Sequence, residues 1–234
     1  MNTNKILANE TALISTIRIE TYQWLAQTFS YELEKEAVSL YQESALNTIF
    51  SLFEELGLVN EVARLKQAIQ DFKQLDDPCL ELKADFAACF LLDEASAMPY
   101  ASLYLGDDGM MYGEAERKMR ELLSQSGLTI LESFKEPSDH LAIYLALLQK
   151  WCEQIKRDAS TETDIAAFLQ SEYLAQKSFI DEGLLSWIPE WNNRLNGDTV
   201  NCTNDFYPAL GTLLQGFLLA DTAFLTNYLE DFAS

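Results

Sequence analysis

The sequence holds a single histidine, His140. That count excludes a metal-dependent hydrolase built on several histidine ligands, and a zinc site built on Cys/His clusters. A Cys–His nucleophile pair would have to use the same ring, and no sequence cue points a cysteine at it. Basic residues are scarce as well: 16 Lys and Arg stand against 37 Asp and Glu, for a net charge of −21. Phosphate binding needs clustered Lys and Arg, so nucleic acid is disfavoured as a partner. An anionic membrane surface would repel the chain for the same reason. There is no Gly-rich phosphate loop of the nucleotide-binding types and no G-x-S-x-G elbow.

Helix breakers are few, 9 Gly and 5 Pro in 234 residues, which points to long helices. The cysteines, Cys79, Cys89, Cys152 and Cys202, form no C-x-x-C pair. They read as scattered, mostly buried thiols in a reducing compartment. The opening MNTNKILANETALIST has no charged segment leading into an apolar one, so no secretory signal is expected. No apolar run approaching about 18 residues is recognised, so no membrane insertion and a cytoplasmic location are expected.

What is present is a three- and four-residue apolar period along nearly every segment. It predicts helices over about 11–31, 36–56, 60–73, 79–92, 113–126, 138–155, 162–181 and 205–231, with a short piece at Trp187–Trp191. Gly57 and Gly127 suit helix ends, and Asp76-Asp77-Pro78 suits a helix start. Residues 93–112 break the pattern with Pro99, Tyr100, Ser102 and Tyr104, followed by Gly106-Asp107-Asp108-Gly109. A connector at 128–138 ends in Glu136-Pro137, and the residue before a proline is pushed out of helical conformation. The expected fold is an all-α helical bundle in two parts, 1–127 and 139–234, joined by this hinge and able to swap halves between copies.

Two clusters draw attention. Glu136-Pro137-Ser138-Asp139-His140-Leu141 places ionisable groups at a helix start beside a rigid proline. Ser138 would cap the helix and Asp139 would sit in its first turn. The cluster is either a capped helix after a linker or a polar recognition site at the hinge. His140 near a helix N-terminus would stay neutral. The second cluster is Asp85 and Phe86 on a helix, with Pro99, Tyr100 and Tyr104 on a loop. It is either an aromatic groove for a basic, amphipathic peptide or a cover for the core. The acidic charge is either solubilising or attractive to such a peptide.

Three stretches resemble the TorD branch of the TorD/DmsD/NarJ family of redox-enzyme maturation chaperones. They are Tyr22–Ser30, the block from Leu80-Glu81-Leu82-Lys83-Ala84-Asp85-Phe86 to Pro99–Tyr104, and Phe134–Leu145 with its E-P-x-D-H-L element. The resemblance implies an all-α chaperone without catalytic activity and with no cofactor beyond weak binding of GTP. It implies as partners a molybdenum-cofactor reductase precursor, trimethylamine-N-oxide reductase by the TorD likeness, and its twin-arginine signal peptide. The family's hinge pair maps onto Asp139 and His140, its helix aspartate onto Asp85, and its loop aromatics onto Tyr100 and Tyr104. In this reading Phe86, Tyr100, Tyr104 and Leu141 line a groove for the apolar stretch, with Pro99 and Ser102 beside them. Asp85, Glu136 and Asp139 meet the arginines. The stretch Gly106–Gly113 departs from the family pattern. A monomer, a homodimer or both are expected. Competing readings are a weak GTP-binding or GTP-hydrolysing protein, separated by phosphate release, and a purely structural adaptor, separated by peptide titration.

Overall fold

The apolar period is realised as eleven α-helices in a computed structural model that describes residues 3–42, 46–92, 96–106 and 110–233. Among the described residues there is no strand, only an isolated antiparallel bridge between Tyr100 and His140. The helices are α1 (Thr3–Ser30), α2 (Lys35–Gln42), α3 (Asn47–Glu55), α4 (Val59–Phe72), α5 (Pro78–Phe90) and α6 (Ser102–Leu105). They continue with α7 (Glu114–Gln125), α8 (Leu141–Asp158), α9 (Ile165–Ser178), α10 (Ile188–Leu195) and α11 (Phe206–Ala233). The predicted 36–56 segment is therefore two helices. Helix α1 begins eight residues before the expected start because Leu7 and Ala8 add to its packed face.

The punctuation acts as its chemistry dictates. Asp77 caps α5 by accepting from the Leu80 N–H at 3.2 Å, and Pro78 takes the first turn, where a missing N–H costs nothing. Gly57 and Gly127 follow α3 and α7 in the left-handed region, at φ 87° and 68°. Helix α8 starts at Leu141, not at Ser138. Its N-cap is His140, whose ring Nδ1 accepts from the Ala142 N–H at 3.1 Å. Ser138 does not cap it and Asp139 is outside its first turn, because the two form a turn closed by the His140 N–H donating to the Pro137 carbonyl at 3.1 Å, and His140 after them is extended and paired with Tyr100. Of the Gly106–Gly113 stretch, 107–109 lie outside the described residues. Tyr112 within the stretch is exposed with φ 62°.

One continuous apolar core draws on both sides of the connector. Helix α1 lies along α8, and α11 packs against α4, α9 and α10. Tyr22, Leu25 and Phe29 of α1 are fully buried, each contributing roughly 1.5–3 kcal/mol of burial. Arg18 of α1 is buried in a fork with Asp221 of α11, two bonds of 2.8 Å, and it donates to Gln176 of α9 at 2.7 Å. Tyr22 donates to the same carboxylate at 2.5 Å. After α9 the chain widens into a π-helical turn, Phe179–Leu184, which brings Gly183 against the Tyr144 ring. A Cβ at Gly183 would meet that ring at 3.3 Å.

Helix α11 corrects one expectation. Phe206–Asp231 has the length and apolarity of a membrane span, with mean hydropathy 1.3. Its position is that of a core helix. Half of its most apolar window is buried inside the fold, and Asp221 within it is held by Arg18.

Candidate functional site

The loop at Pro99–Ser102 is strapped onto the start of α8. The Ala101 N–H donates to the Asp139 carbonyl at 3.1 Å, and the Leu141 N–H donates to the Pro99 carbonyl at 2.8 Å. Between these bonds Tyr100 and His140 stand opposite each other, rings edge to face at 5.1 Å. The Asp139 carboxylate lies beneath, fully buried, and accepts the Ser102 N–H at 2.8 Å. Its other oxygen has no hydrogen-bond partner in the protein.

His140 is held on its other side by Phe134, edge to face at 5.3 Å. Because Nδ1 accepts from the backbone, the ring proton sits on Nε2. Burial holds its pKa down at about 3, so the ring is neutral at physiological pH. Tyr100 donates its hydroxyl to Glu136 in a short bond. Burial, then that carboxylate, raises the Tyr100 hydroxyl pKa well above the ordinary phenol value. Phe134 carries the chain of rings on to Tyr31, at 5.2 Å, and the Tyr31 hydroxyl donates to the Ser133 carbonyl.

These contacts frame a cleft of about 490 Å³. Phe86, Phe90, Tyr100 and His140 supply its aromatic surface, and Glu32, Glu34 and Glu136 its carboxylates. Glu32 and Glu34 are exposed, and Glu34 pairs with Lys83 at 2.7 Å. A second groove, about 410 Å³, shares Ser30 and Tyr31 with the first. It lies between the connector and α8, walled by Leu128, Ile130, Phe134, Ile143 and Leu147, with Ala146 on its floor. Its one ionisable group besides Tyr31 is Lys150. The acidic, aromatic cleft and the apolar groove thus meet at Ser30 and Tyr31.

The residues singled out in the sequence, Asp139 beneath the loop aside, divide between four places. Phe86, Pro99, Tyr100, Glu136 and His140 line the acidic cleft. Asp85 is buried and accepts from the N–H groups of Thr203 at 2.6 Å and Asn204 at 2.9 Å, fixing the turn ahead of α11. Burial raises its pKa, against those two bonds. Ser102 and Tyr104 face away: Ser102 accepts from the Gly113 N–H at 3.1 Å, and Tyr104 stacks on Trp187 at 5.6 Å. Leu141 is in the core. Tyr31, Glu32, Glu34 and Phe90 were not singled out. The signal for the first three was Tyr31-Glu32-Leu33-Glu34, an aromatic and two acids around one apolar residue, directly after a helix that resembles the family's; Phe90 lies one turn beyond Phe86 on α5.

The sequence model of the family described as "Nitrate reductase delta subunit" matches residues 55–193, more than half of the chain. A protein named "Chaperone protein TorD" from a Psychrobacter species is 33% identical over 219 residues, covering 92% of this chain and 95% of its own. Proteins of the same name from Vibrio atlanticus and Actinobacillus pleuropneumoniae are 31% and 34% identical, covering 93% of this chain in both cases and 99% and 100% of their own. The chain belongs to the TorD family of redox-enzyme maturation chaperones. The relatives' printed role is that of a chaperone, which is not an enzymatic one, and membership carries that role to this chain. For a TorD-family chaperone the relevant property of the cleft is what it can hold. The neutral histidine bonded into a cap is a fixed wall, whereas Glu32 is exposed at the cleft and Glu136 lines it with one oxygen taken by the Tyr100 hydroxyl.

Proposed function

We propose that this chaperone acts in the cytoplasm and holds the twin-arginine signal peptide of a molybdenum-cofactor reductase precursor before export. The client is the trimethylamine-N-oxide reductase type, with its apo-core held during cofactor insertion. The observation that carries this reading is the junction at Tyr31 of a carboxylate-rimmed aromatic cleft and an apolar groove. A twin-arginine signal has the same two parts in series, a pair of guanidinium groups and then a helix-prone apolar stretch. Guanidinium groups match carboxylates through forked, charge-assisted bonds and stack on aromatic faces. Glu32, Glu136 and the ring of Tyr100 offer both kinds of contact. The apolar stretch runs on past Tyr31 along α8, as amphipathic segments do in other helix-lined grooves. The net charge of −21 raises the encounter rate with a basic peptide.

Binding of about 1 μM, roughly −8 kcal/mol, would hold a precursor and still release it. Fluorescence anisotropy with a labelled twin-arginine peptide tests the reading. The doubled variant Glu32→Gln/Glu136→Gln should weaken binding by about tenfold, or about 1.4 kcal/mol. Ala146→Trp, which fills the groove floor, should weaken the intact peptide similarly, yet leave a peptide truncated after its arginines unaffected. A wild-type protein that binds the peptide equally well with its arginines replaced by alanine would overturn the proposal.

A further inference from the structure

Helix α5 carries Asp85 and Cys89 one turn apart on one buried face. Asp85 accepts the N–H groups of Thr203 and Asn204, at 2.6 and 2.9 Å, and so draws the turn ahead of α11 onto that face. Cys202 immediately precedes Thr203, and the turn delivers it to Cys89. The two side chains interact there, Cys89 on the inner side and Cys202 on the outer. Cys89 is fully buried and Cys202 is partly exposed. The other two thiols are engaged elsewhere: Cys79 donates to the Leu33 carbonyl at 3.5 Å, and Cys152 accepts from Gln176 at 3.8 Å.

We propose that Cys202 and Cys89 form an oxidation site that takes a small hydroperoxide and closes to a disulfide between α5 and the turn ahead of α11. The inference stands on the thiol pair alone and is independent of what occupies the cleft. The neighbouring Cys89 thiol lowers the Cys202 pKa; the contact with Cys202, then burial, raises that of Cys89. Cys202 is therefore both the outward thiol and the one that yields a thiolate more readily, the two requirements for attack on a peroxide. Its sulfur attacks one peroxide oxygen, the O–O bond breaks, and a sulfenic acid forms on Cys202 as water leaves, or an alcohol from an organic hydroperoxide. The Cys89 sulfur then attacks the sulfenic sulfur, the S–S bond forms, and a second water carries off the sulfenic oxygen and the thiol proton. The thiol pair loses two electrons and the peroxide gains them. A small monothiol reverses the step by exchange. The bond would fix covalently a turn now held by the Asp85 carboxylate.

The test uses the reduced, folded full chain, treated with hydrogen peroxide and then unfolded in guanidinium chloride containing N-ethylmaleimide, so that every remaining thiol is labelled, the buried ones included. Intact mass should show two alkylations lost, peptide mapping should find Cys89 joined to Cys202, and dithiothreitol should restore all four labels. In Cys89→Ser the Cys202 sulfenic acid has no partner, so dimedone labelling should pass from trace to predominant. If that variant does not fold, Cys202→Ser serves in its place, and peroxide should then remove no label. Four labels on the treated wild-type protein would overturn the proposal. So would Cys202 carried to a sulfinic acid or a mixed disulfide while Cys89 stays a thiol.

Discussion

Asp139 and Ser102 are 37 residues apart in sequence, and the carboxylate of one accepts the backbone N–H of the other at 2.8 Å with no solvent between them. This bond fastens the loop that carries Tyr100 to the start of α8. Asp139→Ala should cost about 1–3 kcal/mol in urea unfolding, since the Ser102 N–H loses its buried acceptor. Asp139→Asn keeps an acceptor oxygen and should recover most of that. If Asp139 touched the peptide's arginines, Asn would lose binding at full stability. We expect it to retain both, because Asp139 positions Tyr100.

His140 predicts a pH dependence with a definite sign. Its folded pKa is about 3, against an ordinary value near 6.5, so the unfolded chain binds a proton that the folded chain does not. Its contribution to stability is full above about pH 6.5 and falls as the pH drops towards 3, with a slope of at most about 1.4 kcal/mol per unit. Tyr100 and Phe134 pack their rings edge to face against it, and burial is what holds its proton off. Unfolding between pH 5 and 6.5 should show a positive slope that vanishes in His140→Asn, whose side-chain oxygen can still cap α8. An unchanged slope would refute the assignment, as the sequence has no other histidine.

Arg18 and Asp221 should be costly to separate and cheap to replace together. Removing either leaves the other charge buried, with an expected loss of about 3–5 kcal/mol. Arg18→Met/Asp221→Leu removes both charges and should fold with a smaller loss than either single alanine variant. The comparison is a denaturant titration of the four proteins.

The connector at 128–138 predicts exchange of halves between copies. A swapped dimer would keep the α1–α8 and α4–α11 contacts and change only which chain supplies them. Light scattering across a wide concentration range, with slow refolding at high protein, should show monomer and dimer in concentration-dependent proportion. One monomeric mass throughout would exclude it.

The helices were legible because their apolar period and their Asp77, Gly57 and Gly127 punctuation are local. The start of α8 was not. Ser138 and Asp139 look like a cap and a first turn until the chain 37 residues upstream engages them, and no local pattern shows an imidazole capping a helix. The same reason divides the candidate site. Glu136, His140, Tyr100 and Phe86 are in the cleft, whereas Asp85 and Asp139 are buried as acceptors of backbone N–H groups whose donors lie far away in sequence. Tyr31 went unnoticed because its importance lies in where two grooves meet, which is a property of α1 lying against α8. The apolarity of α11 was legible, but its place beside α4, α9 and α10 was not.

The fork between Arg18 and Asp221 also sets an order of events at the ribosome. The two residues are 203 positions apart, and translation separates their emergence by roughly ten seconds or more at 5–20 residues per second. Once α8 has followed, late in that interval, α1 can find it, but its guanidinium has no carboxylate and α4 has no α11 to cover it. The nascent chain therefore carries an open apolar seam along α4 and α9 until α11 arrives to close it.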